Sequence, residues 1–442
     1  MNNVTRLKTD AEQAIARAYE ASVGASDLRR AGFARFEAEG LPHRRVEAYK
    51  YTDLKALLKS LNPLASPAAD ADGYVAALER PFAETAVCLM LVDGQYRADL
   101  SDIARLPEGV TVTSVKDVLA GGRADLIAAL SGPVISEDDP VIALNAALMT
   151  DGVVIEVAAG ASPVLDLNLV HVTTSTVPVS THTRSLVVAG KGASLGLIET
   201  IEARANGHQR TDVLNVVLAD GARVEHAIAK ADASAVDLAT ITAVIGGKAA
   251  FRSFALVTAG EVTRRQHFVR MEGNGSTLTL RGANLLTGRM HNDSTLTVEH
   301  DSLHCESREL YRHVIEAEAH GVFQGKVIVR PGAQKTDGKM ASNALLLSES
   351  AEMDNKPELE IYADDVVCGH GATCGEIDER PIFYLMSRGL PRPEAEALLI
   401  QSFVGEVVDG VGDVALKASG EALQDQFTAS IGAWLARRGT RS

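Results

Sequence analysis

The chain has 442 residues, 46% of them hydrophobic, which is enough for two or three structural units with a sizeable core. Its net charge of −15 argues against a nucleic-acid binder, because phosphate recognition needs clustered Lys and Arg. The polar stretch Met1–Gln13 has no apolar secretory segment and no run approaches the roughly 18 apolar residues of a membrane span, so a cytoplasmic protein without membrane contact is expected.

The first 60 residues read as helical. Ala11–Tyr19 is rich in good helix formers, and Leu28–Leu41 carries apolar residues at helical spacing until Pro42 ends it. A mixed segment follows, with a buried strand expected at Val87–Val92 and short helices at Val115–Ala120 and Asp125–Leu130, parted by Gly121-Gly122. Pro140–Met149 reads as a helix with proline at its start. Residues 1–150 thus form an N-terminal helical and mixed domain.

From residue 151 the texture changes to short runs rich in β-branched residues. Val153–Val157, Leu165–Val170, Val213–Leu218, Thr277–Leu280 and Lys326–Val329 are strand signals. Gly-Ala pairs recur at Gly160, Gly192, Gly221, Gly282 and Gly332, at gaps of 32, 29, 61 and 50 residues, which is no strict repeat. With aromatics at only 4%, aliphatic ladders inside an irregular β-solenoid over 151–367 fit best, and a β-sandwich is the competing architecture. Residues 368–442 return to helix: Pro381–Met386 is apolar, Glu394–Val408 is amphipathic, and Leu423–Arg437 holds the one tryptophan, Trp434.

Two groups of residues could carry chemistry. Cys368, His370 and Cys374 fall within seven residues of a chain that has only four cysteines, the others being Cys88 and Cys305. Thiolate and imidazole suit soft and borderline metals, and in an extended segment Cys368 and His370 share a face. A closed metal site normally needs four ligands, so this is half a site, to be completed by other residues or another chain. Against it stands the reading of two buried thiols and a turn histidine, with Asp364 and Asp365 as solvated surface. The second group is His300, His304, His313 and His320; the four-residue spacing of His300 and His304 is a helical one, and the pattern there is strand, so the spacing carries little weight. No P-loop, nucleophile elbow or His-Glu-x-x-His occurs, so no nucleotide site is expected in this chain.

Several segments resemble the SufB/SufD family: Gly321–Val327, Ala333–Asp337, Leu345–Ser348, Pro357–Val366, Cys368, His370–Thr373 and Ile382–Leu390. Near the N-terminus, Leu41–Arg45 and Tyr49–Asp53 are similar to a family motif. The Cys-x-His-Gly-Ala-Thr form resembles the SufD branch. Two positions depart from the family pattern: Cys374, where an aliphatic residue is usual, and Met340, where glutamine is common. The resemblance implies a right-handed parallel β-helix between helical domains. It implies a non-catalytic scaffold of iron–sulfur cluster assembly, paired with a SufB subunit and bound to the ABC-type ATPase SufC. By the same resemblance His370 and Cys368 face SufB and help hold a transient, shared cluster, while Phe383, Tyr384 and Arg388 belong to the SufC-docking region. Two rival readings are a structural homodimer without a cluster role and a polysaccharide-active β-helix enzyme, which would need paired carboxylates and usually secretion.

Overall fold

The β-branched runs of the middle region wind into two long sheets that share one interior. The computed structural model describes residues 7–22, 26–132, 136, 139–230, 234–412, 415–416 and 418–439; the first six residues of the polar N-terminal stretch lie outside them. In chain order come α1 (Asp10–Ala21), α2 (Asp27–Glu39), α3 (Leu54–Leu57), α4 (Ala71–Ala76), β1 (Ala86–Val92), β2 (Gln95–Tyr96) and β3 (Val110–Ser114). Next are α5 (Val115–Gly121), α6 (Ala124–Leu130), α7 (Pro140–Leu148), β4 (Val153–Val157), β5 (Asp166–Thr173), β6 (Ser180–Ala189), β7 (Ser194–Ala203) and β8 (Gln209–Leu218). The coil continues through β9 (Arg223–Lys230), β10 (Val236–Ile245), β11 (Ala250–Val257), β12 (Val262–Met271), β13 (Thr277–Leu286) and β14 (His291–His300). It ends with β15 (Glu306–Ile315), β16 (His320–Val329), β17 (Asp337–Leu346), β18 (Glu352–Ile361) and β19 (Val367–Gly375), followed by α8 (Glu379–Ser387), α9 (Arg392–Val408) and α10 (Gly420–Gly439).

Odd-numbered strands from β5 to β19 form one sheet, extended by β1 and β2, and even-numbered strands from β4 to β18 form the other, extended by β3. The protein is therefore mainly β, a parallel β-solenoid of about seven coils flanked by helices at both ends of the chain. The sheets reach beyond residues 151–367 at both ends. β1 and β3 come from the first segment, and β19 runs on to Gly375, where glycines at 369, 371 and 375 mask the alternation of side chains.

The coil length varies, which is why no strict repeat shows in the sequence. Val262 pairs with His291 and His291 with His320, 29 residues on each time. The step is 26 between Val236 and Val262 and 32 between His320 and Glu352. One corner is nevertheless constant. Gly160, Gly192, Gly221, Lys248, Gly275, His304 and Lys335 all hold left-handed φ, between 54° and 74°. Each donates its backbone N–H to the next coil, for instance Gly192 to Asp220 O, Lys248 to Asn274 O and His304 to Gln334 O. The gap of 61 residues between Gly221 and Gly282 is thus filled by corners at Lys248 and Gly275. Gly282 is no corner: it lies within β13, where a Cβ would come within 2.4 Å of the Tyr311 ring.

Inside the coil, alternate residues stack into an aliphatic ladder that includes Leu89, Leu169, Leu197, Leu214, Val216, Ile245, Leu278 and Val327. The helices cover opposite outer faces. α1, α2 and α7 pack Ile15, Phe36 and Leu144 over Val236 and Leu238 of β10. α9 and α10 pack Ile400, Val404, Phe427 and Trp434 over Phe254, Leu285 and Val314. Between the outer face of β12 and β14 and the motif at residues 49–53 lies a buried polar clamp. Arg264 pairs with Asp293, its register partner, and both side chains are fully buried. The guanidinium lies 4.1 Å from the Tyr49 ring centroid and donates to Ala48 O at 2.9 Å, while Thr52 donates to Asp293. Tyr49 Oη and Gln266 Nε2 each donate to Asp139 at 2.8 Å. Asp293→Ala leaves Arg264 charged and dry, so denaturant unfolding should show a loss of about 3–5 kcal/mol.

Candidate functional site

β18 and β19 are the last strands of their sheets, so each has one free backbone edge. The register places Cys368 beside Gly338, His370 beside Met340, and Cys374 beside Ala344. Gly338, Met340 and Ala344 are buried and lie on the inward row of β17, whereas Lys339 is exposed. Cys368, His370 and Cys374 therefore continue that inward row onto a rung with nothing beyond it. Cys368 is half-buried against the interior ladder, and a Cβ at Gly338 would sit 3.6 Å from its Sγ. His370 and Cys374 are exposed. Both thiols are free, and burial pushes each above the usual thiol value, with Asp337 and Glu309 adding to the shift at Cys368. A metal arriving at Cys368 has to displace a proton. Apolar side chains rim this end: Val367, Tyr362 and Ile361 are exposed at 63%, 57% and 42%.

Beneath the open rung the interior turns polar. Glu309, Met340 and His370 follow one another in register on β15, β17 and β19. Met340 fills the hole left by Gly325, where a Cβ would meet its sulfur at 2.1 Å. Glu309 is buried and neither carboxyl oxygen has a hydrogen bond, since the nearby Ser307 hydroxyl faces His300 Nε2 at 3.0 Å. Burial lifts the Glu309 carboxyl to about 8. This group escaped the sequence reading, although strand alternation in Ser307, Glu309, Tyr311 and His313 was there to show it.

The second histidine group does not converge. His304 is an exposed corner residue, His300 faces Ser307, His313 accepts from Asn284 at 3.1 Å and His320 meets Asp354 at 2.8 Å. Asp365 is tied to the corner, paired with Lys335 and accepting from no thiol or imidazole; its N–H donates to Gln334 Oε1 at 2.9 Å. On α8, Asp378 caps the start and Ile382 is the buried anchor. The opposite face leaves Phe383 76% and Tyr384 57% exposed, with Arg388 at the C-cap placing its guanidinium 5.3 Å from the Tyr384 ring centroid.

The free end of the parallel solenoid thus carries a thiol and an imidazole on its inward row. Comparison with known proteins makes this specific. Residues 171–403 match the family described as SUF system FeS cluster assembly, SufBD core domain, and residues 2–164 match the SufBD protein N-terminal region. The iron–sulfur cluster assembly protein SufD of Escherichia coli K12 is 32% identical over 413 residues, 89% of each chain. An iron–sulfur cluster assembly SufBD family protein of Synechocystis is 29% identical over 384 residues, 84% of each chain, and SufD of Bacillus subtilis is 37% identical over 122 residues, 28% of each. The chain belongs to the SufB/SufD family and has a role in iron–sulfur cluster assembly.

The raised Glu309 carboxyl has a consequence for stability. A group protonated in the fold up to about pH 8, but ionised in the unfolded chain above about 4.5, stabilises the fold fully only below 4.5. The Glu309 contribution to stability should fall as pH rises from about 4.5 to 8, opposite in sign to that of the buried histidines, and Glu309→Gln should abolish that contribution. Denaturation midpoints of both proteins across this range test it, with the variant gaining most at pH 8.

Proposed function

We propose that this chain is a non-catalytic scaffold subunit in the cytoplasm that pairs through its open end with a SufB-like subunit and binds a SufC-like ATPase through α8. The observation that carries the reading is the unpaired rung of β18 and β19, with Cys368 and His370 on its inward row. A partner solenoid docked end to end would satisfy both free edges, since such edges pair readily. It would also bring the missing donors to a nascent cluster, the cargo, for which thiolates are the usual ligands and imidazole an accepted substitute. Histidine releases a cluster more readily than thiolate, which suits transient holding. Among the described residues no helix is long and apolar enough to cross a membrane. The exposed Phe383, Tyr384 and Arg388 have the aromatic-plus-arginine make-up of binding hot spots. Nucleotide-driven motion of the ATPase, transmitted through α8 and α9, would then alter the solenoid ends.

Anaerobic co-expression with SufB-like and SufC-like chains, purified through a tag on this chain, tests the assignment. The expected product is a complex carrying iron and acid-labile sulfide, with the sulfide reduced roughly tenfold or more in His370→Ala. A metal-free homodimer of this chain alone overturns it. For α8, Arg388→Glu should weaken ATPase-subunit binding by about tenfold, or 1.4 kcal/mol, in a direct titration; unchanged affinity removes Arg388 from the interface.

A further inference from the structure

A histidine, a glutamate and an aspartate converge inside the solenoid at the end away from the open rung. His171 on β5, Glu199 on β7 and Asp212 on β8 bring one ligand atom each to within 4.8 Å of one another. All three are on inward rows and are exposed by only 6%, 3% and 4%. His171 Nε2 is 3.2 Å from Glu199 Oε2, yet makes no well-formed hydrogen bond. That separation is close to the edge of a tetrahedron built on metal–ligand bonds of 2.0–2.2 Å, about 3.3 Å.

The oxygens turned away from this point are held in place. His226 Nε2 lies 3.2 Å from Glu199 Oε1, and Thr183 donates to Asp212 Oδ1 from the paired position on β6. Metal-binding carboxylates are oriented by outer partners of this kind. A cavity of about 10 Å³ lined by His171, Thr183 and Arg210 adjoins the group, room for one water-sized ligand. Arg210 leans toward the same carboxylates, at 3.4 Å from Asp212 and 3.7 Å from Glu199, but its other terminal nitrogen is 3.2 Å from Asp237. It can stay on Asp237 when a cation enters.

We propose that His171, Glu199 and Asp212 bind one borderline divalent metal ion, Fe²⁺ or Zn²⁺, with a water as the fourth ligand. One imidazole with two carboxylates suits that class; the set has no thiolate for a soft ion and too few oxygens for Ca²⁺. The site does not depend on the open-end reading, because β5, β7 and β8 lie many strands from β19. Burial means that the ion is enclosed as the coil closes.

The test uses the full chain without a histidine tag. It is purified anaerobically from cells grown with added iron or zinc, and separately refolded from denaturant and chelator with Co²⁺ as a spectroscopic probe. The expected result is about one metal ion per chain by elemental analysis and a visible Co²⁺ band in the wild type. His171→Gln and Asp212→Asn should lose the ion, and Thr183→Val, which keeps all three ligands, should bind roughly 10-fold to 100-fold more weakly. Circular dichroism verifies that each variant folds. A wild-type chain that takes up no stoichiometric metal by either route overturns the proposal and leaves Arg210 as the cation of the cluster. So does a His171→Gln variant that keeps its ion.

Discussion

The corner at which every coil turns governs the rest of the molecule. A residue in left-handed φ there gives its N–H to a carbonyl of the next coil, from Gly160 through Lys335. The bond fixes where each coil starts, and so fixes the register of the strands that follow. Since side chains alternate with a period of two, a slip of one residue would send a whole inward row to solvent. Lys248, His304 and Lys335 hold this conformation without being glycine, at a cost of roughly 1–2 kcal/mol each. The geometry is kept even where the preferred residue is missing.

With register held, inward rows become continuous ladders of two kinds. One is aliphatic and forms the main core. The other is polar and includes His171, Glu199, His226, Asp237, Glu309 and His313, all buried. The open rung takes its character from the same rule: Cys368 and His370 face inward because Gly338 and Met340 do. The ordering of the outer faces is just as direct. α1, α2 and α7 lie on the even-strand sheet and α9 and α10 on the odd-strand sheet, whose first strands, β1 and β5, are covered by α4.

Much of this was legible in the sequence. The β-branched runs gave the strands, Pro140 marked the start of α7, and the two-residue spacing of Cys368 and His370 put them on one face. The coil repeat was obscured because its step ranges from 26 to 32 and because corners are filled by Lys and His as well as Gly. Gly282 looked like a corner but serves to admit a tyrosine ring. The run of glycines in β19 hid a strand. The clamp of Arg264 and Asp293 and the group of His171, Glu199 and Asp212 could not be read, since each joins residues on different strands and only the coil brings them together.

The short spacing between register partners also bears on how the chain comes to be folded. From β6 onward each strand pairs with one about thirty residues earlier, whereas β1 waits for β5, with Ala86 opposite Asp166. Contacts of short sequence separation form quickly and demand little loop-closure entropy. During synthesis the first closure is therefore the slow one, and later coils can be laid down one at a time on an existing template as they leave the ribosome. The last strand to emerge, β19, is the one that carries Cys368 and His370, so the free edge that could stick to the wrong chain is exposed for the shortest time before a partner meets it.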